Sequence, residues 1–276
     1  MSDMVTIKID GKKISARSGE NLLAVAKQNN IFIPSLCFHP KLTPTGACRL
    51  CIVKIKDQRG LVPACTVSVS DGMEVTAFDA ELEEARRYLL DYLLSEHNEA
   101  SDNSYDDEFK SLVARYGLDD PAKRQFPSLW KSLGYPIDDS SPVLTYDASK
   151  CVKCFRCIKA CDEVQGKKVL SFAKRGITSY VIGGFGVWGE SECDGCGECI
   201  QLCPTGAIVE KPNREVLKTA TAKSKVISTC PYCGVGCQIE MKVKENRIMR
   251  VNGAEGLKPN DGRLCVKGRF GYAYVG

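Results

Sequence analysis

Apolar and polar residues alternate at the start of the chain and then change period. Val5, Ile7 and Ile9 alternate with Thr6 and Lys8, which predicts a half-buried strand. Asp10-Gly11 is a hairpin turn pair, and Ile14 to Ala16 continue as the returning strand. Ser18 is placed to cap a helix carrying Leu22, Leu23, Val25 and Ala26, which ends near Asn29-Asn30. Ile52 to Ile55 predicts a further strand. Over 79–97, Leu82, Ala85, Leu89 and Tyr92–Leu93 recur at three- and four-residue steps, the period of an amphipathic helix. Residues 98–147 are acidic, carry Pro121, Pro127, Pro136 and Pro142, and sustain little pattern. One helix is predicted there, Asp107 to Tyr116, with Phe109, Leu112, Val113 and Tyr116 on one face and Gly117 as its stop. Val169 to Val187 predicts a strand pair, with Gly183-Gly184-Phe185-Gly186 as a turn inside it. Strands Gln238–Val243 and Ile248–Val251 follow in a last unit that starts near Lys225. The expected class is α+β.

Composition narrows this picture. The 276 residues, 43% hydrophobic and 26% charged, suit two or three small soluble domains. The longest stretches free of Asp, Glu, Lys and Arg are fourteen residues, Gly176 to Gly189 and Val226 to Ile239, short of the roughly 18 a membrane-spanning helix needs. The opening MSDMVTIKIDG has no basic segment followed by an apolar one, so no secretory signal is expected. Sixteen cysteines without an export signal argue against a disulfide scaffold and for a reducing cytoplasm. Residues 1–150 carry a net charge of −4 and residues 151–276 a net of +8. Basic residues that offset anionic metal centres explain this better than a nucleic-acid partner, and none is expected.

The cysteines divide into four sets of four with none left over. Cys37, Cys48, Cys51 and Cys65 are spaced C-x10-C-x2-C-x13-C. Cys151, Cys154, Cys157 and Cys161 form a C-x2-C-x2-C-x3-C run, and Cys193, Cys196, Cys199 and Cys203 repeat it before Pro204. Cys230, Cys233, Cys237 and Cys265 are spaced C-x2-C-x3-C-x27-C. The repeated run is the bacterial two-cluster ferredoxin signature, in which the fourth cysteine of each run serves the other cluster. One 4Fe–4S cluster is therefore expected on Cys151, Cys154, Cys157 and Cys203, and another on Cys193, Cys196, Cys199 and Cys161. Each fourth cysteine is expected at the start of a short helix. Asp162 stands after Cys161 where the minimal motif has proline. The long loop of the first set, with Pro44 and Gly46 before Cys48, suits a 2Fe–2S cluster. Structural zinc is the rival, but it favours two paired C-x2-C knuckles. Three cysteines within seven residues fit it poorly.

Strand, turn, strand and helix resemble the opening of a β-grasp ferredoxin. Four segments are expected: a 2Fe–2S β-grasp domain at 1–80, a helical and irregular linker at 81–145, a domain with two 4Fe–4S clusters at 146–215, and a small β-rich 4Fe–4S domain at 222–276. This order resembles the N-terminal half of the complex I large iron–sulfur subunit, the FeFe-hydrogenases and the NAD-linked formate dehydrogenase α subunits. Cys230-Pro231-Tyr232-Cys233-Gly234-Val235-Gly236-Cys237 with Leu264-Cys265-Val266-Lys267-Gly268-Arg269-Phe270-Gly271 looks most like molybdenum or tungsten formate dehydrogenases. The resemblance implies a third 4Fe–4S cluster on Cys230, Cys233, Cys237 and Cys265, with Lys267 between that cluster and a pterin.

Two departures shape the functional expectation. The family's H-x3-C-x2-C-x5-C cluster site is reduced to His97, followed by Ser101, Ser104 and Lys110. His97 is then expected to be an ordinary helix-end residue. The segment that would hold a pterin does not follow within these 276 residues, and no further cysteine set follows Cys265 to build a hydrogenase active site. No G-x-G-x-x-G lies between a strand and a helix, no P-loop or acid–base pair is visible, and His39 is expected to bond locally. No catalytic residue is assigned. The expectation is an iron–sulfur relay subunit of an NAD(P)-linked, flavin-dependent oxidoreductase complex. By resemblance its partners are a complex I-like NADH/FMN flavoprotein subunit, a second flavoprotein or catalytic subunit, and ferredoxin. Electron-bifurcating transhydrogenases of the Stn type look like users of such a shortened subunit. The alternative is the N-terminal part of a formate dehydrogenase catalytic subunit.

Overall fold

The computed structural model describes residues 3–99, 107–211 and 224–274. The chain divides into two compact units. The first is Met1–Ser95, Phe109–Ser128 and Val152–Phe155, and the second is Glu96–Glu108, Leu129–Cys151 and Arg156–Gly276.

In the first unit, β1 (Met4–Ile9) and β2 (Lys12–Arg17) pair antiparallel. Asp10 and Gly11 both take positive φ at their turn, +49° and +80°, as a right-twisted two-residue hairpin requires. Ile7 and Ile9 are fully buried. Helix α1 (Leu22–Gln28) follows, but Asn21 caps it, accepting from the Ala24 N–H at 3.1 Å. Ser18 is still held beside the first strand, where its N–H donates to the Asp3 carbonyl. Strands β3 (Ile52–Ile55), β4 (Val62–Pro63) and β5 (Glu74–Thr76) complete a five-stranded sheet in the order β2-β1-β5-β3-β4. Only β1 and β5 run parallel in it.

Helix α2 (Ala80–Ser95) buries Leu82, Arg86, Leu90 and Leu94, a stripe in steps of four. The expected stripe through Leu89 and Tyr92 is displaced by about one residue, and Tyr92 is exposed. The reason is Arg86, a charged residue with no exposed surface that occupies a core position. Its Nη2 donates to the Ile52 carbonyl at 2.6 Å and its Nη1 to Glu83 at 2.5 Å. Helix α3 (Glu108–Arg115) lies within the predicted span. Its Phe109, Leu112 and Val113 join Leu36, Leu50, Leu90 and Leu94 in a core that also holds Cys37, Cys48 and Cys154.

In the second unit, β6 (Ile137–Asp138) and β7 (Leu144–Asp147) fall in the stretch with little sequence pattern. Helix α4 (Arg156–Lys159) leads into a wider helical turn, Ala160–Val164. The predicted strand pair is β8 (Leu170–Ala173) and β9 (Tyr180–Gly183), antiparallel. The glycine-rich turn comes after β9 and not between the two strands; Gly186 N–H donates to the Gly183 carbonyl at 3.0 Å. Helix α5 (Glu198–Leu202) precedes β10 (Ile208–Glu210), which pairs with β7 in the order β10-β7-β6. A third sheet joins β11 (Ser224–Thr229), β12 (Gln238–Lys244) and β13 (Arg247–Gly253), and α6 (Val266–Phe270) follows. Every residue of the edge strand β11 is exposed. Among the described residues, no helix is long and apolar enough to cross a membrane.

Candidate iron–sulfur sites

The first four cysteines are all buried, with Cys51 and Cys65 fully inaccessible. The Cys37 thiol lies within hydrogen-bond reach of Cys48 and Cys65, and Cys51 within reach of Cys65. This crowding splits their proton affinities. Hydrogen bonds from Cys48 and Cys65 pull Cys37 down to about 2, and Cys65 pulls Cys51 down. Cys48 is pushed up first by its bond to Cys37 and then by burial, and Cys65 by its bonds to Cys37 and Cys51 and then by burial. The Leu36 N–H donates to Cys48 Sγ at 3.4 Å. Gly46 takes φ +64°, and a Cβ there would stand 3.2 Å from Thr66. The buried Thr45 hydroxyl lies beside Cys37 and helps to pull it down. Four converging thiols, an inward N–H and a buried hydroxyl fit a sulfide-bearing cluster.

The two repeated runs share a backbone solution. In the third set, Gly195 and Gly197 flank Cys196 with φ +70° and +73°. In the second set, Lys153 and Phe155 flank Cys154 with φ +55° and +69°. Left-handed residues on both sides of the middle cysteine turn the backbone sharply in each run. Cys154 belongs to the first unit, while Cys151, Cys157, Cys161, Cys193, Cys199 and Cys203 share one core of the second. The thiol neighbours of Cys199 are Cys196, Cys193 and Cys161. Burial pushes Cys193 up, Cys196 up to about 11, and Cys199 well up. Val169 N–H donates to Cys161 Sγ at 3.3 Å. Cys203 closes the C-terminal end of α5, and Cys161 lies inside the turn after α4. Neither fourth cysteine starts a helix, contrary to expectation.

In the last set, Cys237 has Cys230, Cys233 and Cys265 as its thiol neighbours, and burial pushes it up. Cys230 N–H donates to the Cys237 carbonyl at 2.8 Å. Cys230 is buried, whereas Cys233 and Cys265 are exposed. Among the described residues, no three His, Cys, Asp or Glu side chains converge as on a single metal ion.

His97 is 6% exposed, and burial holds its imidazole down to about 4, against a hydrogen bond with the Lys150 backbone. Ser101 and Ser104 lie outside the described residues. His39 Nδ1 accepts from the Lys41 N–H at 3.3 Å, a local bond as expected. Sequence reasoning missed the polar groups around the thiols. Tyr146 is one, buried against Trp188 in a stacked pair 5.6 Å apart, with its hydroxyl accepting from Val181 N–H. Arg269 is another: its Nε donates to the Cys196 carbonyl at 2.7 Å. Only the run of cysteines beside them could have pointed to either.

Three family models match the chain. Residues 2–79 match a 2Fe-2S iron-sulfur cluster binding domain, residues 141–209 the ferredoxin-like domain of NADH-quinone oxidoreductase subunit 3, and residues 223–276 the molybdopterin oxidoreductase Fe4S4 domain. Among curated relatives, a subunit of an NADH-quinone oxidoreductase of Rhizobium meliloti is 32% identical over 99% of this chain. The NADPH-Fe(3+) oxidoreductase subunit alpha of Geobacter sulfurreducens is also 32% identical over 99% of it. The chain spans about a third of the length of each, 32%. A chain of the crystal structure of an NAD+-reducing NiFe-hydrogenase aligns with a TM-score of 0.69 at 26% identity, covering 79% of this chain and 91% of that one. Iron–sulfur domains of three kinds thus follow one another along this chain, and its homologues include subunits of an NADH-quinone oxidoreductase and of an NADPH-Fe(3+) oxidoreductase.

Proposed function

We propose that this chain is the electron-relay part of an NAD(P)-linked, flavin-dependent oxidoreductase complex. One observation carries the reading: sixteen cysteines form four complete sets, and each set falls inside a matched iron–sulfur domain. The first sheet with α1 is read as a β-grasp holding a 2Fe–2S cluster on Cys37, Cys48, Cys51 and Cys65. Three 4Fe–4S clusters are assigned: to Cys151, Cys154, Cys157 and Cys203; to Cys193, Cys196, Cys199 and Cys161; and to Cys230, Cys233, Cys237 and Cys265. When bound, such clusters supply one-electron chemistry over a wide range of potentials. The chain's own residues hold them, keep water from the buried sets and aim N–H groups at thiolate sulfur, as Leu36 and Val169 do.

The proposed partners are an NADH- and FMN-binding flavoprotein subunit on one side and a second flavoprotein, a catalytic subunit or ferredoxin on the other. The location proposed is the cytoplasm, and electron bifurcation is the proposed use. Purified without air, the chain should hold about fourteen irons, two for the first set and four for each of the others. It should accept electrons from a reduced flavoprotein and should not oxidise formate. A colourless protein with four zinc ions would end the relay reading. The match of residues 223–276 to a molybdopterin oxidoreductase domain favours a second reading, the N-terminal part of a molybdenum or tungsten formate dehydrogenase. Formate turnover with a pterin-binding segment attached would select it.

A further inference from the structure

One side chain joins the third cysteine set to the fourth. Arg269 on α6 is 1% exposed. Its Nε donates to the Cys196 carbonyl at 2.7 Å, its Nη1 to Gln201 Oε1 at 2.8 Å and its Nη2 to Glu198 Oε2 at 3.1 Å. All three acceptors lie between Cys196 and Gln201, on the turn and helix that carry Cys196 and Cys199. The Arg269 N–H donates to the Cys265 carbonyl at 3.1 Å, so the guanidinium stands one helical turn beyond a cysteine of the fourth set.

The acceptors extend the network in both directions. Gln201 bonds Gly253 at the end of β13 through both its amide groups, and it donates to Glu255 at 2.8 Å. Glu198 also accepts from Gln165, which closes the helical turn bearing Cys161, at 3.2 Å. The packing leaves no slack. A Cβ on Gly197 would stand 2.1 Å from Arg269 Cδ and 2.9 Å from the Phe270 ring.

A buried ion pair that only filled space could be exchanged for apolar residues without loss of stability. This one is aimed at the loop of one cysteine set from the helix of another. Burial pushes the Cys196 and Cys199 thiols up, and the Arg269 charge opposes that rise. Adding an electron to a thiolate-bound centre adds negative charge, and a fixed cation beside it favours the reduced form.

We propose that Arg269 is a positioning residue for electron transfer between the third and fourth centres: its fork fixes the Cys193–Cys199 loop against the helix that follows Cys265, and its buried charge raises the potential of the third centre. The proposal rests on the iron–sulfur reading above. The test compares the whole chain with R269M, R269K and E198Q, all purified without air, by iron analysis and by redox titration followed by electron paramagnetic resonance. Wild-type protein without iron would defeat the cluster reading itself, whatever Arg269 does. With iron present, R269M should move the third centre to more negative potential and weaken its magnetic interaction with the fourth. E198Q, which removes the opposing carboxylate, should move the third centre to more positive potential. R269K should keep most of the potential but not the interaction, because an ammonium cannot fork to three acceptors. The first centre, on Cys37 to Cys65, should not move in any variant. If R269M loses iron from the third set, E198Q decides alone: a positive shift supports the proposal and no shift overturns it. Iron-replete R269M and E198Q with unmoved potentials, or with shifts of the same sign, overturn it as well.

Discussion

Lys153 and Gly195 occupy the same place in the two repeated cysteine runs and the same left-handed backbone region, at φ +55° and +70°. The second run thus reaches with a lysine a conformation that the third reaches with glycine. For a residue with a Cβ, that conformation costs roughly 1–2 kcal/mol.

Lys153→Gly should therefore stabilise the chain, by about 1 kcal/mol at most once glycine's extra freedom in the unfolded state is counted. Gly195→Ala should destabilise it by a similar amount or more, since the added Cβ meets Val143 at 3.0 Å. Denaturant midpoints measured on the iron-replete proteins would show both signs. Shifts of the same sign at the two positions would contradict this account.

Arg86→Ala should cost about 2 kcal/mol, because it strips a charged donor from the Ile52 carbonyl and leaves a void under α2. Glu83 is partly exposed and can return to water. Arg86→Met, which keeps the volume, should cost less. Urea unfolding followed by circular dichroism separates the two variants.

Two buried groups should pull the pH dependence of stability in opposite directions below neutrality. Burial raises the Glu210 carboxyl from 4.5 to about 7. The folded chain then binds a proton that the unfolded chain has released, so this contribution falls as pH rises from about 4.5 to about 7 and levels off above. The full span is at most about 3 kcal/mol. His97 works the other way. Its folded value of about 4 lies below the ordinary 6.5, so its contribution is complete above 6.5 and is lost as pH falls towards 4. Melting temperatures across this range should separate the two. Glu210→Gln should leave a stability that only rises with pH, and His97→Gln one that falls more steeply than in the unaltered chain.

Oxygen or a chelator should strip the four centres unequally. Cys233 and Cys265 of the last set are exposed, whereas the first set is buried throughout. The last set should bleach first and the first set last, as followed by absorbance and by iron remaining on the protein.

The four-by-four grouping of the cysteines is plain in the sequence because closely spaced thiols on one loop limit which of them can serve a common centre, and each group lies within a matched iron–sulfur domain. The first hairpin was legible for the same kind of reason: alternation of Val5, Ile7 and Ile9 has a single physical cause. The buried stripe of α2 was hidden because Arg86 counts as polar in any pattern, and its burial is explained by the Ile52 carbonyl and Glu83. Ser18 and Asn21 are both good caps, and the choice fell to Asn21 because Ser18 is held by Asp3. The two-residue strand β6 is too short to carry a period. Arg269 resembles a surface residue until α5 is folded beside it.

Strand β11, exposed at all six residues, is held by its ladder with β12 and by solvent-facing side-chain bonds such as Gln238 to Thr229 and Lys225 to Glu240. Val226 and Ile227 are already 44% and 51% exposed, so opening β11 uncovers little apolar area and loses little of what keeps the rest folded. Its amides should trade hydrogen for deuterium well before those shared by β12 and β13, and protease should nick the chain there while β12 and β13 stay paired.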